Sequence, residues 1–273
     1  MSDALQVAVR EVKTGFRNPW AYSFMALFAV FMLGLLLING QGYVAGYSGV
    51  TGTMLNLMLY LLPLMTLMLG AVSLTSEKEE GSWELLASYP LRTTSFMLGK
   101  YAGLGVVLLV IAALGFGLAG VAGTLLGQPF AWQAYGLLLV FAASLILLYL
   151  AIALLVGTLA RTRWQALTIA VAIWFFTVIG WAPLLIASLG AMPYMWIKPA
   201  VVGLTLLNPA ELSRLFAVVK LGGGAVLGPE YYEWIKWIRQ PSGTGAYAAW
   251  LALWIGCAAG LATWLWERGR RRG

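Results

Sequence analysis

The apolar residues of this chain are gathered into runs of about twenty or more, the length a helix needs to cross a hydrocarbon core of roughly 30 Å. Six such runs stand out: Trp20–Asn39, Met54–Leu74, Tyr101–Leu126, Ala134–Ala160, Trp164–Gly190 and Ala246–Trp266. A barrel strand would alternate apolar and polar residues over about ten positions. These runs do not alternate, and a lone segment in lipid satisfies its own backbone only as a helix. The expected fold class is an all-α membrane protein with six transmembrane helices, a single domain over residues 1–273. A composition of 61% hydrophobic and 10% charged residues agrees, since soluble domains carry far more charge.

The basic residues assign the two sides. Twelve of the 17 lysines and arginines fall at the N-terminus, in the loop after the second run, after the fourth run, and at the C-terminus. Those places share one side of a six-span chain, so both termini are expected in the cytoplasm. The loops 40–53 and 127–133 carry no charge. Because the net charge of +7 flanks the apolar runs, it points to the lipid bilayer as partner and away from nucleic acid. Residues 1–18 form a basic amphipathic helix, expected to lie in the membrane surface. Leu5, Ala8, Val9, Val12 and Phe16 share one face; Gln6, Arg10, Lys13 and Arg17 share the other. Asn18 and Pro19 then cap and begin the first span. No cleaved leader is expected. Residues 191–245 are too long for a turn. Their prolines and the Gly222–Gly224 run leave two short helices, Pro209–Lys220 and Pro229–Arg239, as interfacial or re-entrant pieces of an outer cap.

There is no histidine and one cysteine, Cys257, which lies inside an apolar run. That excludes an intrachain disulfide and a Cys/His metal cluster. The middles of the spans carry no ionisable residue, which disfavours ion-coupled transport by buried carboxylates. No nucleophile motif, metalloprotease motif or phosphate loop is present. No catalytic residue, metal or bound cofactor is therefore expected in this chain. Met54, Met58, Met65 and Met68 form one stripe of the second span, read first as packing and second as the lining of a substrate path. Met192 and Met195 add two thioethers in the outer segment, too few by themselves for a copper site.

The stretch SEKEEGSWELLASYP, Ser76 to Pro90, carries four glutamates and a lysine between two long apolar runs. Glu77, Glu79, Glu80 and Glu84 lack the ligand spacing of a calcium loop. Gly81 ends the second span, Ser82 caps a short helix and Pro90 stops it. Trp83, Leu85 and Leu86 give that helix an apolar face with an acidic rim, which suits a groove on a partner.

EKEEGSWELLASYPLRTTSFMLGK, Glu77 to Lys100, resembles the ABC-2 type permeases. The resemblance covers essentially the whole chain. It implies six spans, both termini in the cytoplasm of a prokaryote's cytoplasmic membrane, and a coupling loop over residues 75–100. It also implies a homodimer bound to two copies of an ABC ATPase subunit, which would carry the ATP and magnesium. Glu77, Glu79, Glu80, Gly81, Trp83, Glu84, Leu85, Leu86 and Pro90 would be the ATPase-coupling residues. Leu61–Gly70 and Leu206–Leu215, with Asn208, Pro209, Glu211 and Arg214 in the outer cap, are similar to the permease subgroup serving maturation of the copper centres of nitrous-oxide reductase. That likeness implies export of a sulfur species or help with copper delivery, with an accessory protein outside the cytoplasm. A lipid, peptide or drug cargo, or a non-transport assembly scaffold, are the alternatives.

Overall fold

The computed structural model describes residues 3–38, 47, 49–81, 92–125 and 132–270. Among these the chain is helical, with no strand. The helices are α1 (Asp3–Gly15), α2 (Pro19–Ile38), α3 (Gly49–Glu79), α4 (Thr93–Leu125), α5 (Trp132–Leu159), α6 (Arg163–Trp174), α7 (Trp181–Gly190), α8 (Tyr194–Leu207), α9 (Pro209–Lys220), α10 (Tyr232–Arg239) and α11 (Pro241–Arg270). A π-helical turn, Phe175–Ile179, joins α6 to α7.

α3, α4, α5 and α11 are each long and apolar enough to cross a membrane. α2, at 20 residues, matches the roughly 30 Å core at 1.5 Å per residue. The fifth span is broken: α6 with its π turn meets α7 at 48°. The sequence reads Trp164–Gly190 as one helix. The break falls at Gly180, three residues before Pro183, which has no N–H to give and so cannot continue the ladder. α8 and α9 meet at 106°, too sharply to form one straight span, and are called the re-entrant pair below. α9 matches the expected short helix, but α8 was not foreseen, because Pro193 and Pro199 read as breaks. Pro193 in fact precedes the helix, and Pro199 lies inside it as the sixth residue, where the helix continues at the loss of one ladder bond.

The bundle is centred on α5, sixteen of whose residues are buried. Small residues set how closely its neighbours approach. Gly70 on α3 faces Ala153, and Gly157 on α5 faces Leu74. Phe28 of α2 lies edge-on to Phe116 of α4 at 5.4 Å, in space left by Gly115.

α1 packs along α4. A methyl group added at Gly103 would fall 2.6 Å from the Ala8 carbonyl oxygen and from Glu11 Cβ, and one at Gly99 would fall 2.5 Å from the Ala4 oxygen. The face of α1 turned to the protein is Val7 and Glu11, while Leu5 and Val9 remain exposed. The expected apolar stripe is therefore split: Leu5 and Val9 face outward, Val12 and Phe16 pack against Ala21, Val107 and Ile111, and a carboxylate, Glu11, also faces inward. Trp266, near the end of α11, stacks on Phe96 at 5.7 Å and shares a cluster with Val7 and Leu74. α1 and the last turns of α11 thus lie at the same end of the bundle, called here the terminal end. α8, α9 and α10 cover the opposite, cap end. There Leu212, Phe216, Val219, Trp234, Ile238 and Tyr247 form a separate apolar cluster.

Candidate functional site

α3 runs past its apolar section and carries Glu77, Lys78 and Glu79 on its last turn. It ends where Gly81 takes φ +67°, a left-handed conformation that glycine adopts without a Cβ penalty. Each charged residue there meets a different helix. Glu77 is buried and accepts from Arg10 of α1 and, at 3.1 Å, from Lys100 Nζ of α4. Lys100 is 1% exposed and also donates to Glu11 Oε1 at 3.0 Å. Ser73 donates to the other Glu11 oxygen at 3.3 Å. Two cations and two carboxylates balance, as burial of charge requires.

Lys78 turns the other way. Its ammonium donates to the carbonyls of Gly157, Thr158 and Ala160 at 2.8, 2.7 and 2.9 Å. Its three N–H bonds thereby cap the C-terminal end of α5, where the helix dipole favours a cation. The same ammonium stands 5.2 Å from the Trp266 ring of α11. Arg163 opens α6. Its backbone N–H donates to Glu79 at 2.8 Å, and its guanidinium pairs with Glu79 at 2.7 Å and Glu80 at 2.6 Å. Carboxylates at the start of α6 complement its dipole. The last turn of α3 is thus bonded or stacked to five other helices: α1, α4, α5, α6 and α11.

Beside this hub lies a cavity of about 850 Å³. Arg10, Glu11, Glu77, Glu80, Lys100 and Arg163 supply its charged part; Phe24, Leu69, Leu104 and Leu167 supply apolar wall. Trp20 and Trp164, both strongly exposed, flank it on α2 and α6.

Of the residues singled out from the sequence, Glu77, Glu79 and Glu80 come together here, engaged by cations of their own chain. Gly81 ends α3 as expected. Trp83, Glu84, Leu85, Leu86 and Pro90 lie outside the described residues. Arg10, Glu11, Lys78, Lys100 and Arg163 belong to the hub and were missed as functional residues. The signal for Glu11 was present: it is the one carboxylate in the middle of a basic helix, four residues from Val7 on the same face.

Met54 and Met58 are buried in the main core, Met65 in a cluster with Ala21, Val107 and Ile111, and only Met68 reaches the cavity wall. Replacing Met54, Met58 and Met65 with leucine conserves volume and is expected to cost less than about 1.5 kcal/mol each. Thermal unfolding of the purified triple variant measures this, and loss of folded protein would give the thioethers a role beyond filling space. In the cap, Asn208 accepts from Ala210 N at 3.1 Å and so caps α9, with Pro209 as its first residue. Glu211 and Arg214 pair one turn apart on α9.

Comparison with known proteins places this architecture. The family model described as ABC-2 family transporter protein matches residues 5–268. The chain belongs to the ABC-2 family of transporter proteins, as the permease subunit of an ABC transporter and a multi-pass membrane protein. It is similar to the probable ABC transporter permease protein NosY of Stutzerimonas stutzeri, with 28% identity covering 98% of this chain and 99% of the relative. It is also similar to the probable ABC transporter permease protein NosY of Pseudomonas aeruginosa, with 30% identity covering 96% and 97%. Membership implies an ABC ATPase as partner.

Proposed function

We propose that this permease works as a homodimer with two ATPase subunits, and that segment 82–91 docks on the ATPase through Trp83, Leu85 and Leu86. Glu84 and Pro90 belong to the same docking element. The single observation that carries this is the hub: the turn of α3 directly ahead of that segment is tied to five helices, so a displacement there reaches the bundle as a whole. Glu77, Glu79 and Glu80 then act as transmission, holding the docking segment to the spans, and the ATP and magnesium sit on the partner. The terminal end faces the cytoplasm in this reading, in keeping with the distribution of lysine and arginine.

The docking claim is tested by Trp83→Ala with Leu85→Ala. Buried aromatic and aliphatic anchors dominate such interfaces, each costing about 2 kcal/mol or more on truncation. The double variant is expected to reach the membrane folded yet to lose the ATPase in an affinity pull-down. Recovery of the intact complex would sink the claim.

The cargo proposal is narrower. The likeness of Leu61–Gly70 and Leu206–Leu215 to the nitrous-oxide reductase maturation subgroup, and the NosY relatives, support service to an extracytoplasmic copper enzyme of that type. The chain would move a sulfur species or aid copper delivery, with an accessory protein outside. Deleting the chain in its host is expected to leave that enzyme without the visible absorption of its copper centre. A normal spectrum would overturn the proposal. The mixed charged and apolar lining of the cavity favours the second reading, an exporter of an amphiphile such as a lipid, peptide or drug.

A further inference from the structure

The broken fifth span and the re-entrant pair share one hydrogen-bonded node. Asn208 occupies the 106° elbow between α8 and α9 and is 2% exposed. Its side-chain oxygen caps α9, while its Nδ2 donates across to the carbonyl of Thr177 at 2.7 Å. Thr177 is the middle residue of the π turn. The Thr177 hydroxyl exchanges a 2.8 Å hydrogen bond with the buried Tyr149 hydroxyl of α5 and donates to Ile173 O at 2.8 Å. Just before the turn, Trp174 Nε1 donates to Tyr60 O on α3 at 2.8 Å. Tyr60 lies one turn ahead of Pro63, where a proline interrupts the helix ladder.

A π turn holds one residue more than the α-helix around it. Passing to a regular helix therefore turns one flank by about 100° and slides it about 1.5 Å relative to the other. Thr177 cannot keep both its carbonyl and its hydroxyl partners through such a change. In a dry membrane interior, an unpaired amide and an unpaired carbonyl cost several kcal/mol. They separate only where water takes their place.

We propose that Asn208 is a positioning residue that ties the re-entrant pair to the bend of the fifth span. Rearrangement of the π turn, release of the Asn208–Thr177 bond and entry of water at the cap end are then one event. The sequence offers a selective test. Asn208→Asp keeps the oxygen that caps α9 but has no N–H for Thr177. Asn208→Ala removes both.

The probe is Thr205→Cys, a fully buried position three residues before the elbow, made in a Cys257→Ser background. It is labelled with a membrane-impermeant methanethiosulfonate in proteoliposomes of the full transporter. Loss of one buried hydrogen bond is worth about a tenfold change in opening. Asn208→Asp and Asn208→Ala are both expected to label about tenfold faster than the parent, with unchanged size-exclusion elution. Labelling at the parent rate in Asn208→Asp overturns the proposal, and so does fast labelling confined to Asn208→Ala, which assigns the effect to the cap of α9. Should either variant fail to fold, the probe with Asn208 intact supplies a second arm: labelling must rise when ATP is added, and an unchanged rate overturns the coupling. This arm rests on the ATP-driven reading and the first does not, so their failures are distinguishable.

Discussion

Lys100→Met is expected to destabilise the terminal end by about 3–5 kcal/mol, the usual result of removing one partner from a buried ion pair. Lys100 Nζ is the only cation within 4 Å of both Glu11 and Glu77 that is itself buried, at 1% exposure among the described residues. Arg10 also reaches both carboxylates, but its side chain is half exposed. Without Lys100, two carboxylates share one screened guanidinium. Thermal unfolding in detergent reads the loss. Adding Glu77→Gln removes the stranded charge and is expected to restore most of it, which a double-mutant cycle resolves. The comparison variant is Glu80→Gln, because the Glu80 side chain is 61% exposed and an exposed pair is worth about 0–1 kcal/mol. If Lys100→Met costs no more than Glu80→Gln, the four-charge cluster contributes nothing to holding α1.

Gly103→Val is expected to lift α1 from α4. The atoms a side chain would meet at 2.6 Å include the Ala8 backbone oxygen, which cannot swing aside as a flexible side chain can. Overpacking of this kind costs about 1–3 kcal/mol. Here it also parts Glu11 from Lys100. Amide exchange over residues 3–15 reads the separation directly. Gly105→Ala is the control, since its added carbon would meet only side-chain carbons at 3.6 Å or more, an ordinary contact. Protection of α1 unchanged in Gly103→Val would mean that the helix can find another seat.

The long apolar spans were legible because a bilayer demands such runs, and Asn18, Pro19 and Pro209 were legible because the chemistry of a helix start is local; Asn208 stood out only through the family likeness, and its cap on α9 comes from the structure. What lay beyond reach was the depth of each charge. The loop between the second and third spans looked as if it began near Leu74 and ended near Tyr101. Helices α3 and α4 instead extend to Glu79 and back to Thr93. Glu77 and Lys100 therefore sit on helices, facing each other, and do not lie in a loop. The compensation between them depends on which faces of α1, α3 and α4 meet, and one-dimensional spacing does not say. The break of the fifth span was hidden for a similar reason. The run Trp164–Gly190 is apolar throughout, and the amide that satisfies the freed Thr177 carbonyl arrives from thirty-one residues away.

Lys78 gives the molecule a stiff handle and a soft wrist. With three carbonyls of α5 on one ammonium, the tail of α3 cannot slide along α5 without forfeiting all three bonds together. A shove delivered just beyond Gly81 is therefore not absorbed near its origin. The wrist lies farther along α3, at Pro63, where the ladder lacks a bond, beside the Tyr60 carbonyl that receives the Trp174 indole from the broken fifth span.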